Sequence, residues 1–102
     1  MNNTTACQLH LEGEMTIYTA AETKARLLPL LAQCIDLEID LSQVSEMDSA
    51  GLQLLILAKR ACAKRNGNLH LTGHNQAVLE VLELCNMMSF FDEALVTSSQ
   101  KH

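Results

Sequence analysis

The chain has 102 residues, 48% of them apolar and only 3% aromatic, with twelve acidic against seven basic side chains. A net charge of −5 argues against binding a nucleic-acid backbone, which needs a basic face, and against docking on anionic lipid. The length fits one domain with a core of Leu, Ile, Val and Ala. No stretch approaches the roughly 20 apolar residues of a membrane span, and MNNTTACQ has neither the basic nor the apolar region of a secretion signal. A cytoplasmic, soluble protein is expected, with Cys7, Cys34, Cys62 and Cys85, mostly set among apolar neighbours, as free, buried thiols.

Leu9 and Leu11 alternate with Gln8, His10 and Glu12, which is the period of a strand. Gly13 follows, and the run Met15 to Tyr18 is expected to pair back on that strand as a hairpin. Helical spacing begins at about Ala20 and lasts to Gln33. Leu27, Leu28 and Leu31 share one side of that helix; Glu22, Arg26 and Gln33 share the other. Pro29 falls on the polar side, removes one backbone hydrogen bond and predicts a kink. Leu37, Ile39 and Leu41 alternate with Glu38 and Asp40 in a further strand. A second helix is predicted from about Ala50 to Asn66, ended by Gly67. Leu69 and Leu71, alternating with Asn68, His70 and Thr72, give another strand. A third helix is expected from about Gln76 to Cys85, with Asn75 as its N-cap and Val78, Leu82 and Cys85 inward. SFFDEALVT reads as a short helix or an edge strand. Short tails of about residues 1–5 and 97–102 are expected to be disordered.

Strands buried on both faces read as continuous apolar runs, and these alternate instead. The expectation is a single α/β domain over residues 1–102. It has a mixed β-sheet with helices packed mainly on one face, in the order β-β-α-β-α-β-α with right-handed crossovers.

The junction of strand and second helix reads MDSAGLQLLILAKR. Asp48 or Ser49 is suited to cap the helix, and Gly51 permits close backbone approach. Capping alone accounts for such residues. A helix N-terminus also tolerates a phosphate, so Ser49 can carry one and change the surface charge by about −1.5 to −2. On a helical wheel Gly51, Leu55, Ala58 and Cys62 face the core. Leu57, with Ile56 beside it, falls among the outward residues Gln53, Arg60 and Lys64, which suggests a binding surface.

Signals for catalysis are weak. His10, His70 and His74 with Glu38 and Asp40 belong to a wet sheet face, but no nucleophile–base pair stands out. Cys7 and His10 make one ligand pair where a strong zinc signal needs two. No glycine-rich phosphate loop is present. Neither catalytic residues, nor a metal, nor a cofactor is expected.

Three segments, LEGEMTIYTAAETKARL, LEIDLSQVSEMDSAGLQLLILAKR and NLHLTGHNQAVLEVLEL, resemble the STAS domain family, named for sulfate transporters and anti-sigma factor antagonists. The resemblance spans about Leu9 to Leu95, and DSAGL is its most specific element. It implies the STAS fold and a non-enzymatic switch. By this resemblance Ser49 is the phosphorylation site, the partner is an anti-sigma factor that is also a serine kinase, and a phosphatase resets the cycle. The contacts it implies are Asp48, Ser49, Gly51, Gln53, Ile56 and Leu57. Ala50 stands where many sporulation and stress antagonists have a second hydroxyl residue. STAS proteins of chemotaxis and two-component pathways often read DSAGLQLL, so the output need not be a sigma factor. The alternative is a STAS subunit of a lipid-transport ABC complex. Such proteins share a proline near LLPLL but often have threonine at the key position, so Ser49 favours the switch. Direct contact with nucleic acid and insertion into a membrane are not expected; the oligomeric state is left open.

Overall fold

The computed structural model describes residues 6–91 and 94–95. The two tails expected to be disordered lie outside the described residues. Six elements follow one another: β1 (Ala6–Met15), α1 (Ala20–Gln33), β2 (Asp36–Met47), α2 (Ser49–Lys64), β3 (Leu69–Thr72) and α3 (Gln76–Leu84). The fold is α/β, with a three-stranded sheet in the order β1-β2-β3. Both strand pairs are parallel, joined by the helical connections α1 and α2. No helix among the described residues is long and apolar enough to cross a membrane.

One sheet face is covered and the other is wet. Leu9, Leu11, Leu37, Ile39, Leu41, Leu69 and Leu71 point to the helices and are buried. They join Leu27 and Leu31 of α1, Leu55 and Ala58 of α2, and Val78 and Leu82 of α3 in one core. Fully burying each Leu or Ile contributes about 1.5–3 kcal/mol, the main force holding helices to sheet. The opposite face carries the polar residues of the alternation. There His10 stands opposite Asp40 and His70 opposite Glu38 in the strand register.

The expected opening hairpin is replaced by a single strand, so the sheet of the described residues is parallel rather than mixed. Leu9, Leu11 and Met15 are all odd-numbered and all buried. The alternation therefore stays in phase through Gly13, and one strand serves both halves. β2 is long enough to pair with the whole of it, from Ala6 opposite Asp36 to Met15 opposite Met47. Two register irregularities, between His10 and Glu12 and between Gly13 and Glu14, absorb the mismatch, with Gly13 at φ 79°. Ile17 and Tyr18 consequently leave the sheet and enter a loop.

Helix α1 runs unbroken through Pro29, which lies on its exposed side. Thr23, Leu27 and Leu31 form its buried stripe. Leu28, expected inward, is 45% exposed, because the stripe has the width of one residue per turn. Helices α2 and α3 both end in a Schellman arrangement. After α2, Asn66 takes the left-handed conformation (φ 61°), and Gly67 N–H donates to the Cys62 carbonyl at 2.8 Å. After α3, Asn86 (φ 56°) plays that part, and Met87 N–H donates to the Leu82 carbonyl at 2.7 Å. Gly67 belongs to this helix stop through its N–H, with Asn66 rather than Gly67 in the left-handed conformation, and its missing side chain is needed for packing: a Cβ there would sit 2.8 Å from Ile35 Cγ2 and closer still to the Ile35 carbonyl. Cys85, expected inward, is exposed, because the helix ends at Leu84 and the chain turns away. Beyond it Phe91 and Ala94 enter the core, and Leu95 forms one parallel bridge to Leu71.

The cysteines also depart from expectation. Cys7 and Cys34 form a disulfide, with Cα atoms 6.0 Å apart. Parallel pairing sets Cys7 opposite Leu37, and Cys34 caps the end of α1 just before β2 starts. The topology thus joins two residues that sequence separation had kept apart. Cys62 is free and buried; its burial, with the Asp36 charge in support, pushes its thiol pKa up.

Candidate functional site

Asp48 lies at the crossing of three segments. Its Oδ1 accepts hydrogen bonds from Ala50 N–H at 2.8 Å and Gly51 N–H at 3.3 Å. Its Oδ2 accepts from Ile17 N–H at 3.1 Å, and its own N–H donates to the Met15 carbonyl at 3.2 Å. One carboxylate therefore caps α2 and ties the loop after β1 to it. Desolvation pulls the Asp48 pKa up, but the N–H donors of Ile17, Gly51 and Ala50 outweigh it and hold the carboxyl below its ordinary value. Hydrogen bonds to the charged form have that effect.

Gly51 is buried at the point where α2 meets the sheet. A Cβ there would collide with the Met15 carbonyl and lie 2.9 Å from both Met15 Cβ and Met47 Cγ. Leu52 is buried beside it. The D-S-A-G-L string thus has a physical reading residue by residue. Asp48 caps, Gly51 admits the helix, Leu52 anchors it, and Ser49 is left facing solvent. Among the described hydrogen bonds the Ser49 hydroxyl takes part in none. The N–H groups expected to receive a phosphate at this helix start are already bound by Asp48. A phosphate on Ser49 would therefore stand beside an ionised carboxylate and project outward.

The loop after β1, which Asp48 ties to α2, is braced by side-chain hydrogen bonds and its tip is apolar. Thr19 Oγ1 donates to the Glu14 carbonyl at 2.9 Å and accepts from Thr16 N–H at 3.0 Å. Thr16 Oγ1 donates to Glu14 Oε1 at 3.1 Å and accepts from Tyr18 N–H at 3.2 Å. On this frame Ile17 is 68% and Tyr18 89% exposed. Sequence reasoning missed both as surface residues because the run they occupy reads as a strand end. The available signal was TIYT itself, two large side chains bracketed by hydroxyl residues that favour turns.

Gln53 is exposed one turn into α2. Ile56 and Leu57 are half-buried against the core rather than on a wet face. They occupy the two shoulders of the helix, on either side of the polar stripe of Gln53, Arg60 and Lys64. The Leu57 shoulder lies toward α1, where the Arg65 guanidinium donates to the Ala32 carbonyl at 2.7 Å. The Ile56 shoulder lies toward the C-terminal segment, where Lys59 Nζ sits 5.4 Å from the Phe90 ring centre. Gly51, Leu55, Ala58 and Cys62 face the core as the wheel predicts, with Leu52 and Leu54 added.

The histidines and acids of the wet face do not converge. His10 Nδ1 and Asp40 Oδ2 are 3.1 Å apart in an exposed pair. The Ser42 backbone N–H, at 2.9 Å from Asp40 Oδ1, is the largest influence holding the Asp40 carboxyl below its usual value. His74 lies apart, in the turn before α3. No group of three or more His, Cys, Asp or Glu is placed to hold a metal among the described residues.

The family model described as "Mlab, STAS domain" matches residues 2–97. The anti-sigma-B factor antagonist of Bacillus subtilis is 29% identical over 85 residues, covering 83% of this chain and 78% of that protein. Among solved structures, a sulfate transporter family protein from Wolinella succinogenes superposes with a TM-score of 0.73 at 18% identity, over 88% of this chain and 75% of that one. The anti-sigma factor antagonist SpoIIAA in its unphosphorylated form gives a TM-score of 0.70 at 16% identity, over 98% of this chain and 86% of that one. At these identities the structural matches speak for the fold, and the family model speaks for descent: the chain belongs to the STAS domain family.

Proposed function

We propose that this STAS domain is a phospho-switched antagonist. In its unmodified form it binds an anti-sigma factor that is also a serine kinase; phosphorylation of Ser49 releases it, and a phosphatase restores it. The observation that carries this reading is the position of Ser49: a solvent-facing hydroxyl on a rigid helix start, beside the exposed Ile17 and Tyr18. A dianion added there, next to the ionised Asp48, opposes any partner that packs on the apolar tip, through desolvation and local negative charge. The partner surface comprises Ser49 and Gln53 with the shoulders Ile56 and Leu57, held in place by Asp48 and Gly51. The name of the Bacillus subtilis relative, an anti-sigma-B factor antagonist, supports the class of partner. The action takes place in the cytoplasm, and its output is transcription or a chemotaxis or two-component pathway.

A second reading is a subunit that braces a lipid-transport ABC complex. The match to a sulfate transporter family protein shows the same fold in a transporter setting. The exposed Leu28 beside Pro29 offers an apolar contact on α1 away from Ser49. Co-purification from the native cells separates the two readings: a serine kinase supports the switch, a transporter ATPase the brace. Mass spectrometry of the same material is expected to find phosphate on Ser49. Ser49→Asp is expected to fold normally and lose the partner, while Ser49→Ala keeps it. Unchanged binding by Ser49→Asp, or phosphate only on other residues, would overturn the switch.

A further inference from the structure

We infer that Asn66, in the Asn66–Gly67 step that ends α2, is a site of spontaneous conversion to aspartate and isoaspartate, kept slow by the helix cap and released when the last turn of α2 opens. Two features make the site reactive. The Asn66 side chain is exposed, and among the described hydrogen bonds it takes part in none. Gly67 follows it, so no side chain shields the main-chain nitrogen that attacks the amide. Two features hold the reaction back. The Gly67 N–H donates to the Cys62 carbonyl at 2.8 Å, which keeps the nitrogen protonated and aimed into the helix. The Gly67 backbone also rests on Ile35, with no room for even a Cβ between them. This is the end of α2 opposite Ser49, and nothing in the switch reading uses it.

The Gly67 nitrogen loses its proton and attacks Asn66 Cγ. The N–Cγ bond forms, the Cγ–Nδ2 bond breaks, and Nδ2 leaves as ammonia, taking up the proton that the Gly67 nitrogen gave. The product is a cyclic succinimide. Water then adds at one of its two carbonyl carbons. Opening at Cγ restores the main chain with aspartate at 66; opening at the main-chain carbonyl leaves isoaspartate, with the chain running through Cβ and Cγ. No electrons are transferred, and water is the only co-reactant. The fold supplies its own comparison. Asn86 ends α3 in the same way, exposed and left-handed, with Met87 N–H donating to the Leu82 carbonyl at 2.7 Å. There the Met87 side chain shields the nitrogen, so position 86 has the same cap without the same reactivity.

The joint between α2 and β3 cannot absorb the iso product without loss. Asn68 is clamped at both ends: its N–H donates to Asp36 Oδ1 at 2.9 Å, and its carbonyl accepts from Leu37 N–H at 3.0 Å. The extra main-chain atom of isoaspartate at 66 therefore falls between the cap of α2 and a fixed residue just before β3. It displaces either the Gly67 N–H from the Cys62 carbonyl or Asn68 from β2. Aspartate at 66 keeps the chain length but sets a negative charge at a helix C-terminus, where the helix dipole disfavours it. Both products weaken the hold of α2 on the sheet, isoaspartate the more.

The test ages the full chain at mildly alkaline pH, in native buffer and in urea. Peptide mass spectrometry follows each asparagine, and L-isoaspartyl methyltransferase with a labelled methyl donor counts isoaspartate. In urea, Asn66 is expected to convert well ahead of Asn86; no conversion at Asn66, or equal rates at both, would overturn the site. In native buffer, conversion at Asn66 is expected to be roughly tenfold to hundredfold slower than in urea, as befits opening of a helix end rather than of the whole domain. An equal rate, or a slowing far beyond that range, would overturn the gate. Arg65→Gln removes the guanidinium bonds from this end of α2 to the Leu31 and Ala32 carbonyls. It is expected to speed the native rate by roughly twofold to tenfold and to leave the urea rate unchanged; an unchanged native rate would overturn the opening of this turn as the controlling step. Asn75→Ala, destabilised at the cap of α3, is expected to leave the native rate at Asn66 as it was. A rise matching its loss of global stability would overturn local opening. The aged native chain is expected to melt below the fresh one, and aged Asn66→Gly to melt as it did when fresh; a fall that persists in Asn66→Gly would overturn Asn66 as its source.

Discussion

Gly51→Ala sets two effects of opposite sign against each other. In an isolated helix the change is favourable, since Ala exceeds Gly by about 1 kcal/mol in helix propensity. In this fold the new methyl meets the Met15 carbonyl and lies 2.9 Å from Met15 Cβ and Met47 Cγ. Two of these three obstacles belong to β1 at its paired end, and one is backbone, so rotation of a flexible side chain does not clear the space. α2 must lift from the sheet at the turn that Asp48 caps. Overpacking of this kind costs about 1–3 kcal/mol, and the backbone obstacle places this case at the upper end. The net expectation is a loss of about 1–2 kcal/mol, equivalent to a fall in melting temperature of roughly 5–15 °C for a domain of this size. Urea denaturation followed by far-UV circular dichroism measures it, with the slope unchanged and the midpoint lowered. A variant as stable as the parent, or more stable, would refute the close approach of α2 to β1 as the reason for glycine in DSAGL.

Leu55→Ala removes a side chain that is 1% exposed and is expected to cost about 2–5 kcal/mol. Leu57→Ala, from a half-buried shoulder, is expected to cost roughly 1 kcal/mol; equal losses in urea midpoints would contradict the helix phase. Asn75→Ala deletes the acceptor for Val78 N–H and the 2.7 Å donation from Nδ2 to the Val44 carbonyl. A loss of about 1–2 kcal/mol is expected, with faster amide exchange in the first turn of α3. Asp40 and Asp48 both have folded pKa values below the ordinary 3.8. Their contribution to stability is therefore complete above the unfolded value and is lost as pH falls through it and on through the lowered folded values. Urea midpoints measured from pH 7 down to pH 3 are expected to decline less steeply in Asp48→Asn, which starts from a lower midpoint at pH 7; an unchanged slope would remove Asp48 from the acid response.

Much of this architecture was legible in the sequence. The alternation of Leu37, Ile39 and Leu41 and the spacing of Gly51, Leu55, Ala58 and Cys62 each mark one face of one element. Periodicity is a property of the chain itself and survives any tertiary arrangement. Asn75 was readable as a cap for the same reason, since cap and capped N–H lie three residues apart. The acid, hydroxyl and glycine at the head of α2 were likewise visible: the close approach at Gly51 was readable, while the cap stayed open between Asp48 and Ser49 until the structure gave it to Asp48.

What tertiary structure decided depends on neighbours distant in sequence. The stretch through Gly13 carries an in-phase alternation that suits a hairpin or a through-strand, and only the length of β2 beside it selects the strand. Ile17 and Tyr18 became a surface tip because Asp48, 31 residues away from Ile17, holds the loop. Cys7 and Cys34 came together because parallel pairing returns the chain to its starting end after α1. Leu57 settled at a shoulder rather than in solvent because α1 packs along that side of α2. The glycine at position 51 is required by Met15 and Met47, and the one at 67 by Ile35. Local pattern specifies which face of an element is apolar; which other element covers that face, and how closely, is set by packing that no window of sequence contains.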